Sequence, residues 1–156
     1  MKVIFLDIDG VLNSSAYDRK RDWDKLTNID ESRLPLVKRI VDETGAKIVL
    51  SSTWRVHWDT DAEKCDADGG YLNETFSKCS LEIFSKTPDL GMDGDRPEEI
   101  RAWLDAAAEP VERFVILDDY RYAWGKLSDF FVKTNPRFGL GLEEEHVLRA
   151  IEILNG

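Results

Sequence analysis

Cysteine is scarce in this chain, which holds only Cys65 and Cys79 among its 156 residues. The two lie far apart, and no CxxC or HxxxH spacing accompanies either of them. That absence excludes the usual structural zinc patterns. We therefore expect both thiols to be reduced.

Long apolar runs are absent as well. The first apolar segment begins within two residues of Met1, and no basic leader precedes it. A transmembrane helix needs about 20 consecutive apolar residues, and a signal peptide combines a basic start with a shorter apolar stretch. Because neither pattern occurs, we expect a cytoplasmic protein that makes no contact with membranes.

Positive charge is also in short supply. The chain has 21 Lys and Arg residues against 31 Asp and Glu residues, which gives a formal net charge of −10 at pH 7. Residues 19–21, Arg-Lys-Arg, are the only basic triplet, and they form either a solvated loop or a local basic patch. Broad binding to nucleic acid requires clustered basic side chains that neutralise phosphates. The composition therefore argues against stable nucleic-acid binding.

The chain does contain an alternation of strand-like and helix-like segments. Its length and its apolar fraction of 42% fit one globular domain over residues 1–156. Short apolar runs predict strands over residues 3–6, 46–50, 113–117 and 130–133. Apolar residues at helical spacing predict helices that start near 34, 95 and 143 and end near 44, 110 and 154. This alternation favours an α/β fold with an open parallel sheet.

Two segments show no such regularity. Residues 13–30 are polar, and we expect them to form a flap rather than a packed element. Residues 54–95 are expected to form a small irregular insert. Within that insert, the Asp- and Gly-rich stretch 66–70 lacks the ligand spacing of an EF-hand loop, so calcium binding is not expected there.

Pairs of acidic residues follow two of the predicted strands directly. Asp7 and Asp9 end the first apolar run, and Gly10 closes the turn behind them. Because side chains alternate along a strand, both carboxylates project the same way. Asp118 and Asp119 end a later apolar run. Since ligands of open parallel sheets bind beyond the carboxyl ends of the strands, we expect all these acids at one edge.

Carboxylates gathered in this way need a counterion or a division of roles. Buried together without a partner they repel, and one of them takes up a proton. Their hard oxygen atoms select Mg²⁺, which often bridges to a substrate phosphate. Residues 51–53, Ser-Ser-Thr, follow another predicted strand and bring hydroxyl groups to the same edge. The sequence therefore predicts a Mg²⁺ site beside hydroxyl donors.

The order of these motifs resembles that of the haloacid dehalogenase (HAD) superfamily of aspartate-nucleophile phosphohydrolases. Residues 7–12, Asp-Ile-Asp-Gly-Val-Leu, resemble the first motif of that family. Ser52, at the end of an apolar strand, resembles the second motif, and Asp118 with Asp119 resembles the fourth. The combination, in this order, is far more specific than any one of the motifs.

The third HAD motif is a cation near the start of the helix before the last acidic strand. Arg96 fits that position, and Lys86 is the other candidate. The motifs span residues 7–119, which is most of the chain. The resemblance implies a Rossmann-like open parallel sheet with helices on both faces and a minimal cap.

The resemblance also implies a role for each residue. Asp7 would attack phosphorus to form an aspartyl-phosphate, and Asp9 would protonate the leaving oxygen and later deprotonate water. Ser52 would donate to a phosphoryl oxygen, while Arg96 or Lys86 would balance the negative charge. The implied Mg²⁺ ligands are Asp7, Asp9 through its carbonyl, Asp118 and Asp119, and the implied substrate contacts are Gly10, Thr53 and Lys86.

A minimal cap leaves the crevice open to larger substrates, such as polynucleotide ends or phosphoproteins, although some proteins of this type act on small phosphomonoesters. The nearest likeness is to small capless HAD domains beside RNA-repair enzymes. We therefore expect a Mg²⁺-dependent phosphatase of a phosphomonoester, possible substrates being a nucleotide or a nucleic-acid end. A phosphotransferase with the same intermediate and a noncatalytic HAD-fold binding domain are the alternatives, although the latter usually lacks the first-motif aspartates.

Overall fold

The protein is built around one parallel sheet. The computed structural model describes the backbone of residues 1–156 and all side chains except that of Asp93. The strands of this described backbone are β1 (Lys2–Leu6), β2 (Lys47–Leu50), β3 (Ile83–Lys86), β4 (Arg113–Asp118) and β5 (Phe131–Lys133). They lie in the order β3-β2-β1-β4-β5, and every neighbouring pair is parallel.

Helices cover both faces of the sheet. The α-helices of the described backbone are α1 (Ser15–Asp18), α2 (Leu34–Thr44), α3 (Ala67–Ser77), α4 (Arg96–Ala106) and α5 (Glu144–Asn155). Alternate residues of β1 enter two core clusters, one under α2, α3 and α5 and the other under α4. Among the residues the structure describes, no helix is both long and apolar enough to cross a membrane. The predicted open parallel α/β fold with helices on both faces is confirmed.

The strand order creates a crevice beside the central strand. The chain passes from β1 to β2 and β3 on one side, and then returns to β4 and β5 on the other side. In doubly wound sheets, ligands bind where the connections diverge in this way, at the carboxyl ends of the strands. The fold thus places the ends of β1, β2 and β4 around one crevice.

Helix boundaries follow the local signals in the sequence. Gly45 ends α2 in the left-handed region, with φ of 71°, which a glycine adopts without strain. A capping box of Asp95 and Glu98 opens α4 at the predicted start near residue 95, with both reciprocal hydrogen bonds present. This helix ends at Ala106, earlier than its expected end near Pro110.

Residues 54–95 contain more regular structure than expected. Helix α3 and the edge strand β3 both lie within them. The α3 sequence carries Gly69 and Gly70, which disfavour helix by about 1 kcal/mol each relative to alanine. Burial of Leu72 and Phe76 against the core stabilises the helix instead. Packing that depends on distant residues is invisible to a local pattern.

The segment expected to be a flap is an irregular loop that folds back on itself. Within residues 13–30, the one-turn helix α1 is the regular element, and Ile29 is buried in the core. The Tyr17 hydroxyl donates to the carbonyls of Thr27, at 2.7 Å, and Ile29, at 2.9 Å. These bonds hold the two ends of the loop together beside the crevice.

Candidate active site

Three polar residues stand in one row at the carboxyl edge of the sheet. The strand register aligns Leu6 of β1 with Leu50 of β2 and Leu117 of β4. All three leucines point into the core under α2 and α5, so the residues that follow them project toward the α4 side. The row consists of Ser51, Asp7 and Asp118.

Arg96, the first residue of α4, contacts each member of this row. Its guanidinium Nη1 donates to the Ser51 carbonyl and, at 3.0 Å, to Asp118 Oδ2. The same nitrogen lies 3.5 Å from Asp7 Oδ1. The capping box that starts α4 therefore delivers a buried cation to the acidic residues.

The structure does not bring Lys86, the other candidate cation, to the acids. Its Nζ donates to the carbonyl of Arg55 at 3.0 Å and to the carbonyl of Trp58 at 2.5 Å. Both carbonyls belong to the short 3₁₀ helix Thr53–His57 and its C-terminal cap. Lys86 thus stabilises the turn that follows β2.

Three carboxylates crowd together beside Arg96. Asp7, Asp118 and Asp119 each offer an oxygen within 4.8 Å of the other two. Burial and, next, the charge of Asp118 raise the pKa of Asp7 to about 8, against the lowering effect of Arg96. Burial likewise raises the pKa of Asp118 to about 6. One guanidinium is therefore too little positive charge for this cluster at neutral pH.

The donor set of this cluster fits a divalent cation. Each of its three side chains offers a carboxylate oxygen, which is the kind of ligand that Mg²⁺ prefers. A second positive centre would also relieve the electrostatic cost that raises the pKa of Asp7. The residues that would hold it are Asp7, Asp118 and Asp119, and the neighbouring carbonyl of Asp9 is the remaining candidate ligand.

The Asp9 side chain is exposed and held apart from the acidic cluster. Its Oδ1 accepts a hydrogen bond from Asn13 Nδ2 at 3.0 Å, and its Oδ2 accepts one from Trp54 Nε1 at 3.1 Å. Asn13 also accepts from the backbone N–H of Gly10, at 2.7 Å. Sequence reasoning missed Asn13 and Trp54 as site residues, because each acts through a fold-dependent contact with Asp9.

Gly10 allows the turn after β1 to approach the second acidic pair. Its φ of 86° lies in the left-handed region, and a Cβ there would come 2.6 Å from Asp119 Oδ2. The Thr134 hydroxyl donates to the Gly10 carbonyl at 2.7 Å. Any larger residue at position 10 would therefore displace the Asp119 carboxylate.

These groups surround an open cavity of ≈ 460 Å³. Most of the predicted site residues line it, and so do several polar residues of the loop after β1 and of the loop after β4. The predicted residues at its wall are Asp7, Asp9, Gly10, Thr53, Arg96 and Asp119. The structure thus gathers acids, a cation and a hydroxyl around one space.

The two serines after β2 differ in their surroundings. Neither serine lines the cavity. Ser52 is fully buried, and its Oγ accepts the backbone N–H of Trp54 at 3.2 Å. Ser51 is also buried, but its Oγ has no hydrogen-bond partner among the described residues. Because Ser51 shares the register row of Asp7, it is better placed than Ser52 to donate toward the acids.

Glu99 places a buried carboxylate next to the Arg96 guanidinium. Sequence reasoning missed this residue. Its carboxylate is buried, 2.5 Å from Arg55 Nη2 and 3.9 Å from Arg96 Nε. Arg55 also donates to the Ser52 carbonyl at 3.3 Å. The spacing of three residues between Arg96 and Glu99 on one helix was the available sign of this pairing.

Comparison with known proteins relates the sequence to one family. A family model described as "HAD domain in Swiss Army Knife RNA repair proteins" matches residues 3–147, which is most of the chain. No curated protein and no solved structure matches the chain. The matched range includes every acid of the cluster, both serines and Arg96.

Proposed function

The chain belongs to the family of HAD domains in Swiss Army Knife RNA repair proteins, and from this premise we propose that it is a Mg²⁺-dependent phosphohydrolase of phosphorylated RNA ends. The observation that carries the proposal is the contact of Arg96 with both Asp7 and Asp118, beside an open cavity. Phosphoryl transfer needs little beyond a placed nucleophile and neutralised charge. Asp7 as nucleophile, with Arg96 and a bound Mg²⁺ as the two cations, would meet these needs at this edge of the sheet.

In this proposal, a bound Mg²⁺ and Arg96 would together neutralise the charge of the acids and of the phosphoryl group. A bound Mg²⁺ would supply positive charge to the transferred phosphoryl group and would lower the pKa of the carboxylates that hold it. Its ligands are Asp7, Asp118, Asp119 and the Asp9 carbonyl in this proposal. Arg96, buried against the same acids, adds a fixed cation that costs no rearrangement during the reaction.

Asp7 is the proposed nucleophile. Its Oδ1 accepts the backbone N–H of Ile8 at 2.8 Å and lies near Arg96, which leaves Oδ2 to attack phosphorus. A bond forms between that oxygen and phosphorus while the bond from phosphorus to the leaving oxygen breaks. The aspartyl-phosphate is then hydrolysed by water, which returns the carboxylate and releases phosphate.

Asp9 is the proposed proton donor and acceptor. It delivers a proton to the leaving oxygen in the first step and takes one from the attacking water in the second step. Asn13 and Trp54 each hold one of its oxygens, so the carboxylate is oriented before substrate arrives. Its side chain stands outside the acidic cluster, as a group that must gain and lose a proton should.

Removal of the Asp7 nucleophile tests this proposal. We expect the wild type to release phosphate from a small aryl phosphate and from phosphorylated oligoribonucleotides with Mg²⁺, and not with a chelator. Asp7→Asn keeps the size of the side chain and should lose this activity, whereas Asp105→Asn, on the exposed side of α4, should keep it. Full activity of Asp7→Asn would exclude Asp7 as the nucleophile.

A further inference from the structure

The segment that follows the acidic pair of β4 has a charge opposite to that of the whole chain. Residues 120–138 hold four basic side chains and one acidic side chain, in a protein with a net charge of −10. They also hold six aromatic residues. The basic residues, all exposed, are Arg121, Lys126, Lys133 and Arg137. We call residues 120–138 the aromatic–basic segment.

Aromatic rings in this segment lead away from the active-site cavity. Tyr120 directly follows Asp119, is 61% exposed, and lines the cavity together with Tyr122. The centroids of these two tyrosine rings lie 4.6 Å apart, and the Trp124 ring lies 5.5 Å beyond Tyr122. The rings therefore form a continuous path that starts at the acidic residues.

A second cavity lies on the other side of Tyr122. It has a volume of ≈ 560 Å³, and Tyr122 lines both this cavity and the active-site cavity. Arg121 and Lys133 bring cationic groups to its wall, while Trp124 and Phe131 bring aromatic rings. A ligand whose phosphate occupies the first cavity can thus extend past Tyr122 to a region of opposite charge.

One buried donor at this second cavity lacks an acceptor. Trp124 is only 4% exposed, and its Nε1 has no hydrogen-bond partner among the described residues. Buried N–H groups in folded proteins are nearly always paired. The nitrogen itself is enclosed by the protein, so it is the ring of Trp124, and not this donor, that the cavity offers to a ligand.

We propose that the aromatic–basic segment is a binding subsite for the nucleotides that adjoin the terminal phosphate of a single-stranded RNA. The proposal rests on the phosphohydrolase function given above. Bases stack on the rings of Tyr120 and Tyr122, and an internal phosphate is bound by Arg121 and Lys133. Stacking with basic flanks is how proteins hold single strands without reading their sequence.

The chemistry of the subsite favours a polynucleotide over a phosphopeptide. A phosphopeptide offers one phosphate and few planar groups, so it would use the first cavity and leave the rings and cations of the second cavity without partners. An oligonucleotide supplies planar bases and a second phosphate at once. The balance of charge also favours this segment, which holds four basic side chains against one acidic one, whereas the rest of the chain holds 17 against 30.

The ratio of two specificity constants tests the subsite. It is kcat/KM for a short oligoribonucleotide with a 5′- or 3′-terminal phosphate, divided by kcat/KM for a small aryl phosphate. We expect Tyr120→Ala, and separately the double variant Arg121→Gln with Lys133→Gln, to lower this ratio about tenfold. The loss should appear in KM, and the double variant should also weaken the salt dependence of binding.

Matched surface changes elsewhere serve as controls. Phe84→Ala removes an exposed ring from β3, at the far edge of the sheet, and Arg149→Gln removes an exposed cation from α5. Both should leave the ratio unchanged. The Tm of every variant is compared with that of the wild type. A variant with an unchanged Tm has lost a contact with the ligand and not its fold.

Direct binding separates failure of the subsite from failure of the phosphohydrolase function. Fluorescence anisotropy with a labelled oligoribonucleotide should show binding by the wild type that Tyr120→Ala and the double variant weaken. If no phosphomonoester is hydrolysed, this binding still decides the subsite on its own. Hydrolysis of the aryl phosphate without preference for the oligonucleotide, a preference for a phosphopeptide, or variants that bind like the wild type would each overturn the subsite.

Discussion

At the scale of single residues, the side of the strand on which a hydroxyl lies decides whether it can serve the reaction. Ser51 shares the side of Asp7 and has no hydrogen-bond partner among the described residues, whereas Ser52 caps the turn that carries Trp54. We expect Ser51→Ala to lower kcat/KM about 100-fold, the effect of removing one donor to a charged transition state. Steady-state hydrolysis of an aryl phosphate measures this loss.

Ser52→Ala is the matched comparison, because it removes the same atom one position further along. It should cost about 1 kcal/mol of unfolding free energy, as the loss of a helix cap does, with a smaller loss of kcat/KM than Ser51→Ala. Equal losses of kcat/KM in both variants would contradict the assignment of the donor to Ser51. Denaturant unfolding measures the stability difference.

Local sequence predicts a site residue well when it follows directly from its own strand or helix. Asp7 and Asp118 are of this kind because each directly follows an apolar run that predicts a strand. Arg96 is also of this kind, because the capping box predicts the helix that it starts. The choice between Ser51 and Ser52 needs the register between two strands, which no local pattern contains. Trp54 becomes recognisable only when distant segments meet. Asn13 and Glu99 lie within four residues of their partners, but only the folded backbone shows that these pairs form.

At the scale of elements, the start of α5 depends on an uncharged histidine. The backbone N–H of Glu143 donates to His146 Nδ1 at 2.9 Å, so this nitrogen must be unprotonated. Burial lowers the pKa of His146, and Lys133 lowers it further, against the raising effects of Glu145 and Glu143. In the unfolded chain this histidine has an ordinary pKa of about 6.5, so below that pH the unfolded chain binds a proton that the folded chain does not. Stability therefore falls as pH drops through that value.

We therefore expect the unfolding free energy of the wild type to fall by about 1 kcal/mol more than that of His146→Gln between pH 7 and pH 5. Glutamine can accept the same N–H without titrating, so it retains the cap at both pH values. The difference between the two proteins cancels the titration of the many other acids. Parallel pH dependences would show that the cap of α5 does not titrate.

The elements that local sequence does not reveal are those stabilised by tertiary packing. Helix α3 carries a Gly-Gly pair, and β3 is an edge strand of four residues with little burial. Neither has a strong intrinsic preference for its structure. By contrast, both ends of α2 and the start of α4 carry clear local signals and were predicted, whereas the C-terminal end of α4 was not.

At the scale of the whole molecule, net charge is a poor guide to where a charged ligand can bind. The total of −10 argues against a broad electrostatic surface for nucleic acid. Yet the strand order places the aromatic–basic segment, which has an excess of positive charge, next to the active-site crevice. In the proposed subsite, a small local excess of positive charge would act on the phosphates of a short strand end across less than a Debye length, which is about 8 Å at physiological salt.

If the acidic cluster holds Mg²⁺ as proposed, metal binding is linked to the stability of the whole fold. Asp7, Asp118 and Asp119 join the ends of two neighbouring strands, and their mutual repulsion weakens the fold where β1 meets β4. A ligand that binds only the folded state adds about 2.7 kcal/mol to the unfolding free energy at 100 times its Kd, or about 5 to 10 °C to Tm for a domain of this size.

We expect Mg²⁺ to raise Tm by that amount. Asp119→Asn should lose most of this increase, whereas Asp105→Asn should keep it. Thermal unfolding with and without Mg²⁺, at matched ionic strength, gives the measurement. A Tm that does not respond to Mg²⁺ would mean that these acids do not form a metal site in the folded protein.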